Sequence, residues 1–175
     1  AKLQAAFKEA VDLADDGKLD ESIVAYRAIQ DQYPDIPEVH KNLGLIYQQK
    51  RDFPAAEKEF LAALDLEPDD SAMLLSLSAV YGAMGQAEKA QAMLDKATEV
   101  DPGDPKTQFR KGVMLRNAGE NDRAVEAFQA VIEADPSSAD AYFNLGQLMV
   151  NAAKFPEAIQ YLEKYLSLDP TNQND

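Results

Sequence analysis

The large apolar residues of this chain fall in columns 34 residues apart. Tyr26, Phe60, Leu94, Phe128 and Leu162 form one column; Leu13, Tyr47, Tyr81, Leu115 and Met149 form another. Around them the apolar positions step by three and four, as at Phe60, Ala63, Leu64 and Leu66, the spacing of one face of a helix. Two further columns hold only small residues: Ala10, Gly44, Ser78, Gly112 and Gly146, and Ser22, Ala56, Ala90, Ala124 and Ala158. Small side chains at fixed places let two helices approach toward the lower end of the usual ~8–10 Å interaxial spacing.

The breaks keep the same period. Pro34, Pro68, Pro102, Pro136 and Pro170 each lie 34 residues after the one before, and a fixed period of this size marks a stacked repeat. Asp16-Gly17, Gly85 and Gly119 mark a short inner turn, and Asp104 followed by Pro105 reads as a helix cap with proline in the first turn. Pro54 and Pro156 are tolerated in the same way at the start of a second helix. Setting each proline at position 32 gives units 3–36, 37–70, 71–104, 105–138 and 139–172, with 173–175 as a tail. Each unit is expected to be two antiparallel helices, ten in all, within a single domain covering 1–175. A lone hairpin cannot bury its apolar face, so the units must stack into an α-solenoid.

Composition narrows the function. The 175 residues are 46% hydrophobic, enough for a core, and carry 31 acids against 17 bases, a formal net charge of −14. That balance disfavours nucleic acid, whose binding is dominated by Lys and Arg contacts to phosphate, and it disfavours anionic membrane surfaces. The longest uncharged run, Ser71 to Ala87, is in register with the repeat and reads as a packed helix, so no direct membrane insertion is expected. No cysteine is present, which removes disulfides and thiolate metal sites but leaves cytoplasm and periplasm equally compatible for a soluble chain. No signal peptide is visible and the chain opens at Ala1 without Met, which processing or excision from a longer protein would explain. His40 is the one histidine, so neither a catalytic dyad nor a zinc site is expected; it reads as a packing residue. Carboxylate pairs such as Asp15-Asp16 and Asp69-Asp70 fall in turns and caps, without calcium-loop spacing. No phosphate-loop, dinucleotide or hydrolase motif occurs, so the chain is expected to be no enzyme and to hold no cofactor or metal.

The run Asn42-Leu43-Gly44-Leu45-Ile46-Tyr47, followed by Ala56, Phe60, Ala63 and Pro68, resembles the tetratricopeptide repeat. So does Tyr142-Phe143-Asn144-Leu145-Gly146, followed by Phe155, Ala158 and Pro170. The resemblance covers 3–172 in five phased copies; the RNA-binding pentatricopeptide array is disfavoured by its longer period and by the acidic charge. Some units depart from the family pattern. Ala6 and Glu9 stand where large apolar residues are usual, which implies a polar end face at the first unit. Gln108, Lys111 and Asn121 do so in the fourth, implying a rotated helix or a Lys111 stem laid along apolar surface. In the last unit Tyr161, Leu162, Tyr165 and Leu166 form an apolar end, an expected interface through which the chain could self-associate.

The resemblance implies a right-handed superhelix whose first helices line a concave groove for a peptide or helix of a partner protein. Family groove positions fall here on Lys41, Asn42, Leu75 and Ser76, then on Lys106, Phe109, Arg110, Arg116 and Asn117, then on Phe143, Asn144 and Gln147. Over all thirty such positions the bases are Lys8, Lys41, Lys106, Arg110 and Arg116 and the acids Asp15, Glu38 and Asp140, so the groove is positive within an acidic chain. Asn and Gln amides suit a peptide backbone and the Arg fork suits a carboxylate, which points to a segment carrying an acidic group. The pattern by which some family members grip a chaperone's C-terminal carboxylate gives Lys41, Leu45, Ser76, Lys106 and Arg110 here, with both expected Asn missing. The expected function is a protein–protein interaction module. The alternatives are a scaffold assembling a complex through its ends or outer face, and an accessory domain of a longer enzyme.

Overall fold

The computed structural model describes residues 2–168; Pro170 and the expected tail 173–175 lie outside the described residues. Among these residues there are ten α-helices and no strand: α1 (Lys2–Asp15), α2 (Leu19–Gln32), α3 (Pro37–Gln49), α4 (Phe53–Leu66), α5 (Ser71–Ala83), α6 (Ala87–Val100), α7 (Pro105–Asn117), α8 (Asn121–Ala134), α9 (Ala139–Asn151) and α10 (Phe155–Leu168). From α4 onward each helix starts 34 residues after its counterpart in the preceding unit, so the period of the prolines is the period of the helices.

The inner turns share one geometry. Gly17, Arg51, Gly85, Gly119 and Ala153, one per unit, all have positive φ. The next residue's amide closes each turn: Lys18 donates to the Leu13 carbonyl, Asp52 to Tyr47, Gln86 to Tyr81, Glu120 to Leu115 and Lys154 to Met149, each at 2.9 Å. This closure satisfies carbonyls that a helix end would otherwise leave open. Carboxylates cap the starts of α5 and α7: Asp70 accepts from the Met73 amide at 3.0 Å and Asp104 from the Thr107 amide at 2.7 Å, with Pro105 opening α7 as its cap implies.

The helices pack as two compact units, Ala1–Val100 and Asp101–Asp175. In the first, Ala10, Tyr26, Ile29, Val39, Leu43 and Ile46 form a core cluster between successive hairpins; in the second, Leu115, Phe128, Leu145, Leu148 and Met149 do so. The small columns are buried where the two helices of each hairpin cross. Two crossings are also hydrogen-bonded, Ser22 Oγ donating to the Ala10 carbonyl at 2.7 Å and Ser78 Oγ to that of Ala90 at 2.8 Å.

Two expectations are refined by packing. The first hairpin does not end in a polar face: Ala6, Leu13, Val24 and Ala25 line an open apolar trough, to which Glu9 and Glu21 supply polar walls. Helix α7 is not rotated, because Thr107, Gly112 and Leu115 are buried at the unit positions held elsewhere by buried Val39, Gly44 and Met149. Lys111 is therefore half-buried, beside Gln108 and Leu115 in a concavity of about 120 Å³.

Candidate functional site

In the first unit, residues at groove positions come together at α1 and the start of α3. Leu3, Gln4, Phe7, Lys8, Ile36 and Glu38 line a shallow concavity of about 360 Å³. Helix α3 places Lys41 nearby in the sequence, but this ammonium is engaged: it bridges Glu67 and Asp70, the latter at 2.7 Å. Burial works to lower the Lys41 pKa, but the two carboxylates outweigh it and hold it above the usual lysine value. Asn42 is half-buried, Leu75 is buried, and the half-buried Ser76 turns its hydroxyl back to the Ala72 carbonyl at 2.9 Å.

In the second unit, α7 and α9 carry the remaining positions. Arg116 donates to Asn144 Oδ1, while Asn144 Nδ2 donates to the Asp140 carbonyl at 2.7 Å; with 7% exposure, Asn144 is a structural strut between the two helices. Phe109 is half-buried and edge-on to Phe128 at 5.4 Å. Phe143 leans on Tyr165, with ring centroids 5.1 Å apart, yet remains 37% exposed. Lys106, Arg110, Asn117 and Gln147 are exposed. Lys106 and Arg110, four apart on one helix, share a face. Among the described residues neither makes an ion pair or a side-chain hydrogen bond. Arg110 is exposed as a whole, yet enough protein crowds its guanidinium for desolvation to push its pKa below the usual arginine value.

At the end of the chain Tyr161 and Leu162 are half-buried, Tyr161 6.4 Å from the Tyr142 ring and Leu162 against Gly146, and Tyr165 is half-buried under Phe143. Leu166 is exposed, and so are Phe155 and Ile159, which the column argument did not single out.

The structure also contains a polar cluster that column arguments overlook. Glu59, 1% exposed, receives Arg27 Nη1 on Oε1 at 2.8 Å, and its Oε2 lies 2.8 Å from His40 Nδ1. Gln30 Nε2 reaches both His40 Nδ1 and Glu59 Oε2 at 3.1 Å, Arg27 reaches the Tyr47 hydroxyl at 3.3 Å, and His40 Nε2 faces the Pro34 carbonyl at 2.9 Å. Burial opposes the charge on Arg27, but Tyr47 and Glu59 hold its pKa above the usual value. His40 thus joins the first hairpin to the second. The available signal was Glu59 itself, a charge in a column otherwise filled by Ala25, Met93, Ala127 and Tyr161.

No group of three or more His, Asp or Glu among the described residues is placed to hold a metal ion, and no helix among them is long and apolar enough to cross a membrane. The fold and its grooves define a class, the all-α solenoid built of two-helix repeats. Within it, a Tetratricopeptide repeat family profile matches residues 7–71 and 115–173, and a second profile of the same description matches 49–108. The chain belongs to the tetratricopeptide repeat family. No curated protein matches the sequence. Among solved structures the chain is similar to YrrB, described as a TPR protein with an unusual peptide-binding site (25% identity, 94% of this chain and 85% of that one, TM-score 0.71). It is also similar to MamA from Desulfovibrio magneticus RS-1 (18% identity, 100% and 98%, TM-score 0.83) and to PilF from Pseudomonas aeruginosa (15% identity, 95% and 76%, TM-score 0.85).

Proposed function

We propose that this chain is a non-catalytic binding module that holds an acidic segment of another protein at Lys106 and Arg110 on α7. The observation that carries this reading is the pair of exposed cations on one helix face of a strongly acidic chain, both without a partner among the described residues. Other groove cations are already committed, Lys41 to Glu67 and Asp70 and Arg116 to Asn144. An incoming carboxylate meets the Arg110 fork, where partial dehydration strengthens the contact. Asn117 and Gln147 offer amides to a peptide backbone, and exposed Phe143 offers an apolar contact. The likeness to YrrB, described as peptide-binding, supports the same kind of ligand. The test is selection of a random displayed peptide library on the wild type and on Lys106→Glu/Arg110→Glu. Enrichment of Asp- or Glu-bearing peptides on the wild type, lost on the double variant, supports the reading. Identical peptides from both proteins would overturn it.

A second reading, a scaffold that self-associates through its last helix, is favoured by the exposure of Phe155, Ile159 and Leu166 on α10. Sedimentation velocity tests it: association of the wild type that Leu166→Glu abolishes supports it, and a monomer at all concentrations rules it out.

A further inference from the structure

Between α1 and α2 the first hairpin leaves an open trough of about 640 Å³. Ala6, Leu13, Val24 and Ala25 give it an apolar floor, with Val24 70% exposed. Glu9 and Glu21 stand at its walls, and Lys2 lines it at the start of α1.

In the next two hairpins the corresponding face is filled by the helix that comes before, and those junctions supply a register rule. Helix α2 sets Arg27 on Tyr47 and Glu59, and Gln30 on His40 and Glu59. Helix α4 sets Glu57 toward Lys89 at 3.9 Å and against Tyr81, whose hydroxyl is pushed up to about 12 by desolvation and then by the Glu57 hydrogen bond. In unit numbering, Glu57 precedes the position of Arg27 by four and that of Gln30 by seven. Taken together, the polar contacts of the two junctions are made from positions i, i+4 and i+7 of the entering helix, beside the apolar contacts that Tyr26 and Ile29 of α2 make with the next hairpin. Translated to the first hairpin, residue i meets Leu13 and Glu21, residue i+4 meets Leu13 and Ala25, and residue i+7 meets Ala6 and Ala25.

We infer that this trough takes an amphipathic helix of a partner protein with Lys or Arg at i and aliphatic side chains at i+4 and i+7. The base pairs with Glu21, and the aliphatic pair covers the alkyl floor. A carboxylate at i+4 or i+7 would be set against Leu13, Ala6 and Ala25 beside the like charge of Glu9, which is costly. The net charge of −14 draws a basic helix toward the chain. The same rule argues against a second copy as occupant. At these registers α10 carries Ile159, Glu163 and Leu166, which would leave Glu21 without a base and lay the Glu163 carboxylate on Leu13 and Ala25. The surface lies on α1 and α2 and is independent of the α7 site proposed above.

The test is a two-dimensional amide NMR titration of the full chain with two synthetic helices in an Ala/Gln host. Both carry Leu at i+4 and i+7; one has Lys at i and the other Glu. The Lys helix is expected to shift amides of α1 and α2 and to bind more tightly than the Glu helix. Exposed Glu21→Lys should invert that preference, by roughly 2–5-fold as for an exposed ion pair. Ala25→Asp should weaken the Lys helix by about tenfold or more through an unpaired charge on the floor, while Arg110→Glu should leave it unchanged. A preference that Glu21→Lys does not alter, or binding lost with Arg110→Glu and kept with Ala25→Asp, would overturn the inference. Dimers in sedimentation that Ala25→Asp dissolves would instead place a second copy in the trough.

Discussion

Gly44 lies beneath the ring of Phe60, so that a β-carbon built on it would stand 2.5 Å from Cε1. The same relationship joins Gly112 to Phe128, at 2.8 Å, and Gly146 to Leu162, at 2.6 Å. One small column and one large column of the sequence are thus two sides of a single contact within each hairpin. Where the small residue carries a side chain, as Ala10 and Ser78 do, the facing residues are Tyr26 and Leu94. Gly44→Ala is therefore expected to destabilise the protein by ~1–3 kcal/mol through overpacking. Adding Phe60→Leu, which copies the Ser78 and Leu94 pairing, should recover part of the loss. Gly82→Ala is the control. That helical glycine has nothing within 4 Å of its would-be β-carbon, and the change should stabilise by about 1 kcal/mol. Urea midpoints of the four proteins check the opposite signs.

The Arg27–Glu59–His40 cluster makes a second prediction. Removing one partner of a buried ion pair leaves its charge without compensation, which costs ~3–5 kcal/mol in fully buried cases. The Arg27 side chain is about one-third exposed while that of Glu59 is almost fully buried, so Arg27→Ala should fall near or below the lower bound. The joint replacement Arg27→Met/His40→Leu/Glu59→Met removes the charges together and should cost much less than Arg27→Ala. If the single and triple variants lose equal stability in urea, the cluster acts through packing alone.

The inner turns yield a third. Arg51 and Ala153 hold the conformation that Gly17, Gly85 and Gly119 hold at the same unit position, with φ of 62° and 58°. A left-handed residue other than glycine costs ~1–2 kcal/mol, and glycine's greater freedom in the unfolded chain returns about half of that. Ala153→Gly should raise stability by about 0.5–1 kcal/mol. Arg51→Gly should raise it less, because Arg51 also lies over the Phe53 ring at 5.9 Å. Thermal melts of the two variants against the wild type decide the order.

These cases mark what the chain discloses in one dimension. Columns such as Phe60 and Gly44 are legible because thirty-four residues separate repeated solutions to one packing problem, and helix phase follows from them. Glu59 and His40 are illegible by the same logic: Glu59 is the one charge in its column, His40 shares a column with Gln108, and only the structure shows that the two meet. Arg51 carries no turn signal because its backbone is forced by the turn rather than chosen by the residue. The groove positions transfer well as places on helices but not as available groups. Lys41 and Arg116 have neighbours that consume them, whereas Lys106 and Arg110 have none among the described residues, and nothing in the spacing separates the two pairs. The apolar trough between α1 and α2 was hidden for a related reason, since Ala6 and Glu9 suggest a polar end until Val24 and Ala25 of the second helix are set beside them.

The Lys41–Asp70 bridge links stability to pH and gives the last prediction. Burial works to raise the Asp70 carboxyl, but the Lys41 ammonium and the Met73 amide it caps outweigh that and hold its pKa below the ordinary 3.8. A carboxylate whose folded pKa is depressed contributes stability that is fully present above its unfolded pKa and is lost as pH falls through the folded one. The bridge should therefore be intact at neutral pH and weaken below about pH 4, as Asp70 takes up a proton in the unfolded chain first. Asp70→Asn removes the titration but keeps an oxygen to cap α5, so it should lower the urea midpoint at pH 7 and lower it less at pH 2.5. Asp135, also depressed, by hydrogen bonds from Ser137, titrates independently and should keep its own share of the acid limb in both proteins. An Asp70→Asn loss of the same size at both pH values would show that the residue acts as a cap rather than as the partner of Lys41. In that case Lys41 would be freer than its geometry implies, and the first unit would regain a cation for an acidic peptide.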